Sequence, residues 1–179
     1  MKPNSLQELY VEQLKDLYDA EHQIIKAVPK MIEAATSNGL KEALAEHLEV
    51  TQEQTTRLEQ IFAALGEKPK GEKCKGMQGV LQEGNDLVGE IKDESVRDAA
   101  IVAAAQRVEH YEIAGYGTVR SYANLFGDDE ATQLLQQTLD EEKEADQKLT
   151  TLAREIDVNA TSPATVERAE PSGAKRRVA

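Results

Sequence analysis

The chain has 179 residues, 40% hydrophobic and 30% charged, with 33 acidic against 21 basic side chains and a net charge of −12. That length predicts a single domain with a sizeable core, and 4% aromatic content with no Trp argues against an aromatic-rich β-sandwich or a base-stacking nucleic-acid platform. The acidic balance repels DNA and anionic membrane surfaces from most of the protein.

No apolar run is long enough to span a bilayer, and MKPNSLQELY lacks the apolar region of a signal peptide, so a cytoplasmic protein is expected. One cysteine, Cys74, excludes an internal disulfide framework and a Cys-based zinc site.

Residues 5–37 are helix-periodic. Tyr10, Leu14, Leu17, Glu21, Ile24, Val28, Met31 and Ala35 recur at steps of four and three, marking one face. Asn4 and Ser5 are N-cap candidates, Asn38-Gly39 a stop, and Pro29 predicts a kink. A second helix spans about 40–65, its inner face carrying Leu44, Leu48, Thr51, Thr55, Leu58 and Phe62, with Gly66 closing it. GEKPKGEKCKG then forms an irregular, lysine-rich connection, in which basic neighbours are expected to lower the pKa of Cys74. A short amphipathic helix follows, with Met77, Val80, Leu81, Leu87, Val88 and Ile91 apolar.

A third long helix covers about 93–127, with Ile101, Ala105, Val108, Glu112, Tyr116, Val119 and Ala123 in its stripe. A fourth covers about 128–156 through Ala131, Leu135, Thr138, Glu142, Ala145, Leu149 and Ile156. Residues 1–157 therefore read as one helical domain and 158–179 as a disordered tail rich in Pro, Ser and Ala. Short turns make each long pair an antiparallel hairpin. The connection of roughly 28 residues between the pairs is long enough to cross the bundle, which makes the second and third long helices parallel. The fold class is thus all-α, a ferritin-like four-helix bundle with a long crossover containing a short helix.

Three acids sit where leucines are expected. Glu21, Glu112 and Glu142 each interrupt an apolar stripe near the middle of a helix. Three buried carboxylates at one level would repel each other unless protonated or neutralised, and a divalent cation resolves that conflict. The alternative is that each acid rotates to the bundle rim and is solvated. Glu109 lies one turn before Glu112, and Asp146 one turn after Glu142, as further candidates. On the second helix the inner polar residues are His47, Thr51, Gln54 and Thr55, whereas Glu46, Glu49 and Glu53 face away. His47 is the one histidine directed inward, either as a ligand or as a hydrogen-bonded core residue. His22 and His110 are displaced about 100° from their neighbouring acids.

VRDAAIVAAAQRVEHYEIAGYGTVR, preceded by KCKGMQGVLQEG and followed by TLDEEKEADQKLTTLA, resembles the YciE/YciF family of bacterial stress proteins over about residues 5–157. The resemblance implies a ferritin-like bundle that pairs into a homodimer, a carboxylate-bridged di-iron site in each subunit, and an association with stress. It would make Glu21 the ligand of the first helix, Glu109 and Glu112 a Glu-x-x-Glu pair, and Glu142 the carboxylate of the fourth long helix. The di-iron template also asks for two Glu-x-x-His motifs, and none occurs in this chain. Ala145 and Asp146 follow Glu142, and the second helix offers His47, Val50 and Gln54.

Two functions follow as expectations. One is a metal protein with iron, or manganese in its place, acting on peroxide or oxygen, with Tyr18, Tyr111 and Tyr116 packed near the site. The other is a non-enzymatic dimeric scaffold with a vestigial site, which the missing histidines favour.

Overall fold

The computed structural model describes residues 3–161, so most of the expected tail lies outside the described residues. Five helices follow one another: α1 (Leu6–Ala34), α2 (Asn38–Leu65), α3 (Lys75–Glu90), α4 (Glu94–Leu125) and α5 (Asp129–Ala160). There is no strand among the described residues, and no helix among them is long and apolar enough to cross a membrane.

Local chemistry sets most of the ends. Ser5 Oγ accepts from the Glu8 amide at 3.1 Å, and the Glu8 carboxylate accepts from the Asn4 amide at 2.6 Å, so two otherwise orphaned donors are satisfied at the start of α1. Helix α1 continues past Pro29 to Ala34. Gly66 ends α2 in the left-handed region at φ 68°, where a Cβ would be strained. Asp93 and Asp128 cap α4 and α5 through their carboxylates.

Two expected boundaries are corrected. Asn38 and Gly39 do not stop α1; they form the first turn of α2. The turn lies earlier because the buried carboxylate of Asp98 on α4 holds it. Asp98 accepts from the Thr36 amide (2.8 Å), the Thr36 hydroxyl (2.7 Å) and the Ser37 amide (2.8 Å). Helix α5 also runs beyond 157 to Ala160. Its last buried residue is Ile156, and propagating a formed helix by one more exposed turn needs no apolar signal.

In cross-section α1 neighbours α2 and α4, and α5 neighbours α2 and α4. Tyr10 meets Tyr122 and Phe126 at one end, while Arg97 Nε donates to the Ala34 carbonyl at 3.0 Å at the other. Helices α1 and α4 are therefore antiparallel, and α2 runs parallel to α4, as the crossover length predicts. The crossover lays α3 against α1 and α4. Gly84 permits that approach, since a Cβ there would sit 2.9 Å from Ala104 Cβ.

The apolar core is divided. One cluster, including Ile24, Val28, Met31, Leu44, Met77, Ile101 and Leu149, fills the half near the α1–α2 turn. The other, including Tyr10, Leu14, Leu17, Leu58, Phe62, Val119 and Leu135, fills the opposite half. Between them lies a polar layer.

Candidate metal centre

Each long helix contributes to that layer, because one turn of its inner stripe is polar where the turns on either side are apolar. Helix α1 supplies Glu21 between Leu17 and Ile24, α2 supplies Thr51 and Gln54 with His47 at the edge, α4 supplies Glu109 and Glu112, and α5 supplies Thr138 and Glu142. Glu21, Glu112 and Glu142 are each at most 1% exposed and Glu109 is 3% exposed.

The tightest group is His47, Glu109, Glu112 and Glu142. One ligand atom from each lies within 4.8 Å of all the others. His47 Nε2 is 3.4 Å from Glu109 Oε2 and 3.8 Å from Glu142 Oε2. Those three atoms and both oxygens of Glu112 are buried without a hydrogen-bond partner. Buried polar atoms are almost always partnered, so five unpartnered polar atoms on these four clustered residues are an unusual concentration. Nitrogen and oxygen donors at this spacing fit one divalent cation with bonds of about 2.0–2.2 Å.

Of the residues expected to converge, Glu21 stands one step off. Its Oε1 accepts from the Tyr116 hydroxyl, its carboxyl meets that of Glu112, and its Oε2 has no partner. Gln54 Nε2 donates to Glu142 Oε1, and to Glu141 Oε2 at 3.3 Å, leaving the Gln54 carbonyl oxygen orphaned. Asp146 is a correction. It is half-buried outside the group, accepting from Gln106 Nε2 at 3.0 Å and lying 3.3 Å from His110, because its position on α5 turns it toward the outer side of α4.

Burial in this layer raises the titration of Glu21, Glu109 and Glu112. Burial, followed by the charge of Glu142, pushes Glu21 up to about 8 against the pull of the Tyr116 hydrogen bond. Burial and then Glu142 raise Glu109 well above the usual carboxylate range. Burial and then the charges of Glu21 and Glu142 do the same to Glu112. Without a cation Glu21, Glu109 and Glu112 are driven toward their protonated forms.

Sequence reasoning passed over Arg57. It is 8% exposed, donating to Thr138 Oγ1 at 3.0 Å and to both oxygens of Glu141 at 2.6 and 2.8 Å. Burial works against ionised Glu141, but the hydrogen bonds from Arg57, Gln137 and Gln54 together with the Arg57 charge outweigh it and hold the pKa low. The available signal was Gln54-x-x-Arg57, which repeats the spacing of the absent Glu-x-x-His with an amide and a guanidinium.

The tyrosines divide. Tyr116 touches the layer, whereas Tyr18 donates to Glu59 (2.7 Å) and Tyr111 to Asp16 (2.9 Å) away from it. Cys74 is a second correction: its lysine neighbours are exposed, its thiol is enclosed by Asp16 and Tyr111, and burial pushes its pKa up.

The family described as a domain of unknown function, DUF892, matches residues 5–161. Protein YciF of Escherichia coli is 40% identical over 86% of this chain and 93% of its own. The crystal structure of that stress protein superposes with a TM-score of 0.84, covering 88% of this chain and 99% of that one. YcfI of Rhodopseudomonas palustris, described as a candidate structural protein, is 49% identical over 83% of this chain and 94% of its own, with a TM-score of 0.81. A two-domain protein of Anabaena variabilis containing a ferritin-like domain, 19% identical with a TM-score of 0.59 over 98% of this chain and 42% of that one, shares the fold.

Proposed function

The chain belongs to the DUF892 family, and from that premise we propose that it is a cytoplasmic, homodimeric stress protein whose ferritin-like core binds a redox-active divalent cation, iron first and manganese second. The observation that carries this reading is the set of orphaned atoms on His47, Glu109, Glu112 and Glu142. A cation there would satisfy all of them and offset charges that otherwise repel. When bound, iron or manganese supplies open coordination positions and a redox change toward peroxide or oxygen.

The protein's own residues would shape that chemistry. Glu109, Glu112 and Glu142 hold the cation and His47 supplies the nitrogen. Tyr116 fixes Glu21 beside Glu112, and Arg57 keeps Glu141 paired and out of the centre. A di-iron centre would need further ligands on the Glu21 side. There Gln54 presents an amide donor, so the donor set favours one tightly held cation. Elemental analysis of protein purified without a metal-affinity tag tests this. The expected result is close to one iron or manganese per chain, lost in Glu112→Ala. Metal at background, with no uptake on addition, would overturn it.

A second reading, a non-enzymatic scaffold with a vestigial site, draws on Gln54 and Arg57 at the Glu-x-x-His spacing and on Ala145 after Glu142. It predicts unchanged stress survival when Glu112→Gln replaces wild type in the cell.

A further inference from the structure

A cavity of about 150 Å³ opens between α2 and α5 and reaches inward to His47 and Glu109. Leu44, Val50, Ala145 and Leu149 form the apolar part of its wall, beside Glu141, whose carboxylate is held by Arg57. Ala145 lies three residues after Glu142, the spacing at which the di-iron template places a histidine, and its methyl group leaves that volume open. Glu46, Glu144 and Lys148 stand at the rim, where the Lys148 ammonium bonds to Glu46 across the two helices.

We propose that this cavity is the port by which the divalent cation reaches His47 and Glu109, with the Glu46–Lys148 pair as its gate. The inference rests on the cation reading of the polar layer. Glu21, Glu112 and Glu142 are closed off from solvent. The His47 and Glu109 side chains, 11% and 4% exposed, are the members that line the cavity. Two further cavities, at Thr36–Asp98 and at Gln60–Asp128, touch none of the group.

The rim chemistry suits a cation. Glu46 and Glu144 are exposed acids on facing helices, and acids at a cleft mouth raise the local concentration of positive ions. Lys148 opposes this with one positive charge, which its bond to Glu46 keeps over the mouth. The cavity has room for a few waters, so an ion can pass the apolar walls partly hydrated. It would exchange its last waters at the floor, where the orphaned atoms of His47 and Glu109 wait. Anions meet the opposite field.

Stopped-flow uptake of Co²⁺ by the full metal-free chain, followed by visible absorption, tests the port. Lys148→Glu is an exposed change that keeps the fold. It should speed uptake about 3- to 10-fold at low salt, with the gain disappearing as salt screens the rim. Ala145→Phe fills the passage and should slow uptake at least about ten-fold while leaving the final stoichiometry unchanged. A metal-independent readout uses diethyl pyrocarbonate: His47 should acylate slowly in Ala145→Phe relative to wild type, while exposed His110 reacts equally in both.

Co²⁺ uptake that is indifferent to both substitutions, or His47 acylated at the wild-type rate in Ala145→Phe, overturns the port and leaves the cation reading standing. Wild type that takes up no Co²⁺ overturns the cation reading, and the port with it.

Discussion

His47 Nε2 on α2 lies 3.4 Å from Glu109 Oε2 on α4, across the bundle, and neither atom has a hydrogen-bond partner. That distance is too long for a good hydrogen bond, and two lone-pair atoms facing each other in a buried site repel unless something positive stands between them. A proton or a cation can do this. The contest between the two sets how the protein responds to pH and to metal.

In the metal-free protein burial favours the protonated forms of Glu21, Glu109 and Glu112. Glu21 is raised to about 8 by burial and by Glu142, from 4.5, and Glu109 and Glu112 move in the same direction. Between those values the native state binds more protons than the unfolded chain, so stability falls as pH rises. The contribution is fully present below about 4.5 and lost above about 8. Urea midpoints in chelator should therefore decline across this window. A divalent cation should flatten the decline, and a midpoint that rises with pH would contradict the account.

Glu112→Gln removes a charge whose two oxygens have no hydrogen-bond partner while keeping the shape. At alkaline pH, once wild-type Glu112 ionises, the metal-free variant should be more stable by about 1–3 kcal/mol, the typical cost of a buried unsatisfied polar group. Toward acid pH the two should converge, because burial and the charges of Glu21 and Glu142 favour the protonated form of Glu112 there. Denaturation at both pH values checks the sign, and metal titration of the same variant should show weakened binding.

Restoring the template on α2 is a sharper variant. Gln54→Glu with Arg57→His recreates Glu-x-x-His and removes the amide facing Glu142. Calorimetric titration should then move from one cation per chain toward two. Metal-free stability should fall by about 2 kcal/mol, a figure discounted because Glu141 is partly solvated when it loses Arg57. Unaltered stoichiometry would mean that these two residues do not limit the site.

Packing of the crossover hangs on Gly84. Ala normally stabilises a helix interior over Gly by about 1 kcal/mol. Here the added Cβ would meet Ala104 Cβ at 2.9 Å, and neither carbon is the end of a flexible side chain. Gly84→Ala should destabilise by about 1 kcal/mol through displacement of α3. Gly79, with open space around it, is the control: Gly79→Ala should stabilise. Thermal melts of the pair suffice.

Glu21, Glu112 and Glu142 were visible in the sequence because a charge interrupts an otherwise apolar i, i+3, i+4 stripe, which is a strong pattern on helices of this length. His47 followed from the same phase. Asp146 misled because four residues from Glu142 lies close to the inner face, yet the inner face is narrow enough for 40° of rotation to carry a side chain out. Arg57 escaped because an arginine on a helix is normally solvated, and its burial depends on Glu141, 84 residues away. The α1–α2 turn was misplaced for a similar reason: Asp98 holds it from 62 residues along the chain. Periodicity reads faces well; tethers between distant residues leave no local mark.

Crystals of the protein grown with Mn²⁺ and measured for anomalous scattering test the central claim most directly. The account predicts one strong peak within about 2.0–2.3 Å of His47 Nε2 and of oxygens from Glu109, Glu112 and Glu142, with Tyr116 still bonded to Glu21. A polar layer without an anomalous peak at saturating Mn²⁺, or a peak that leaves His47 and Glu109 untouched, would contradict it.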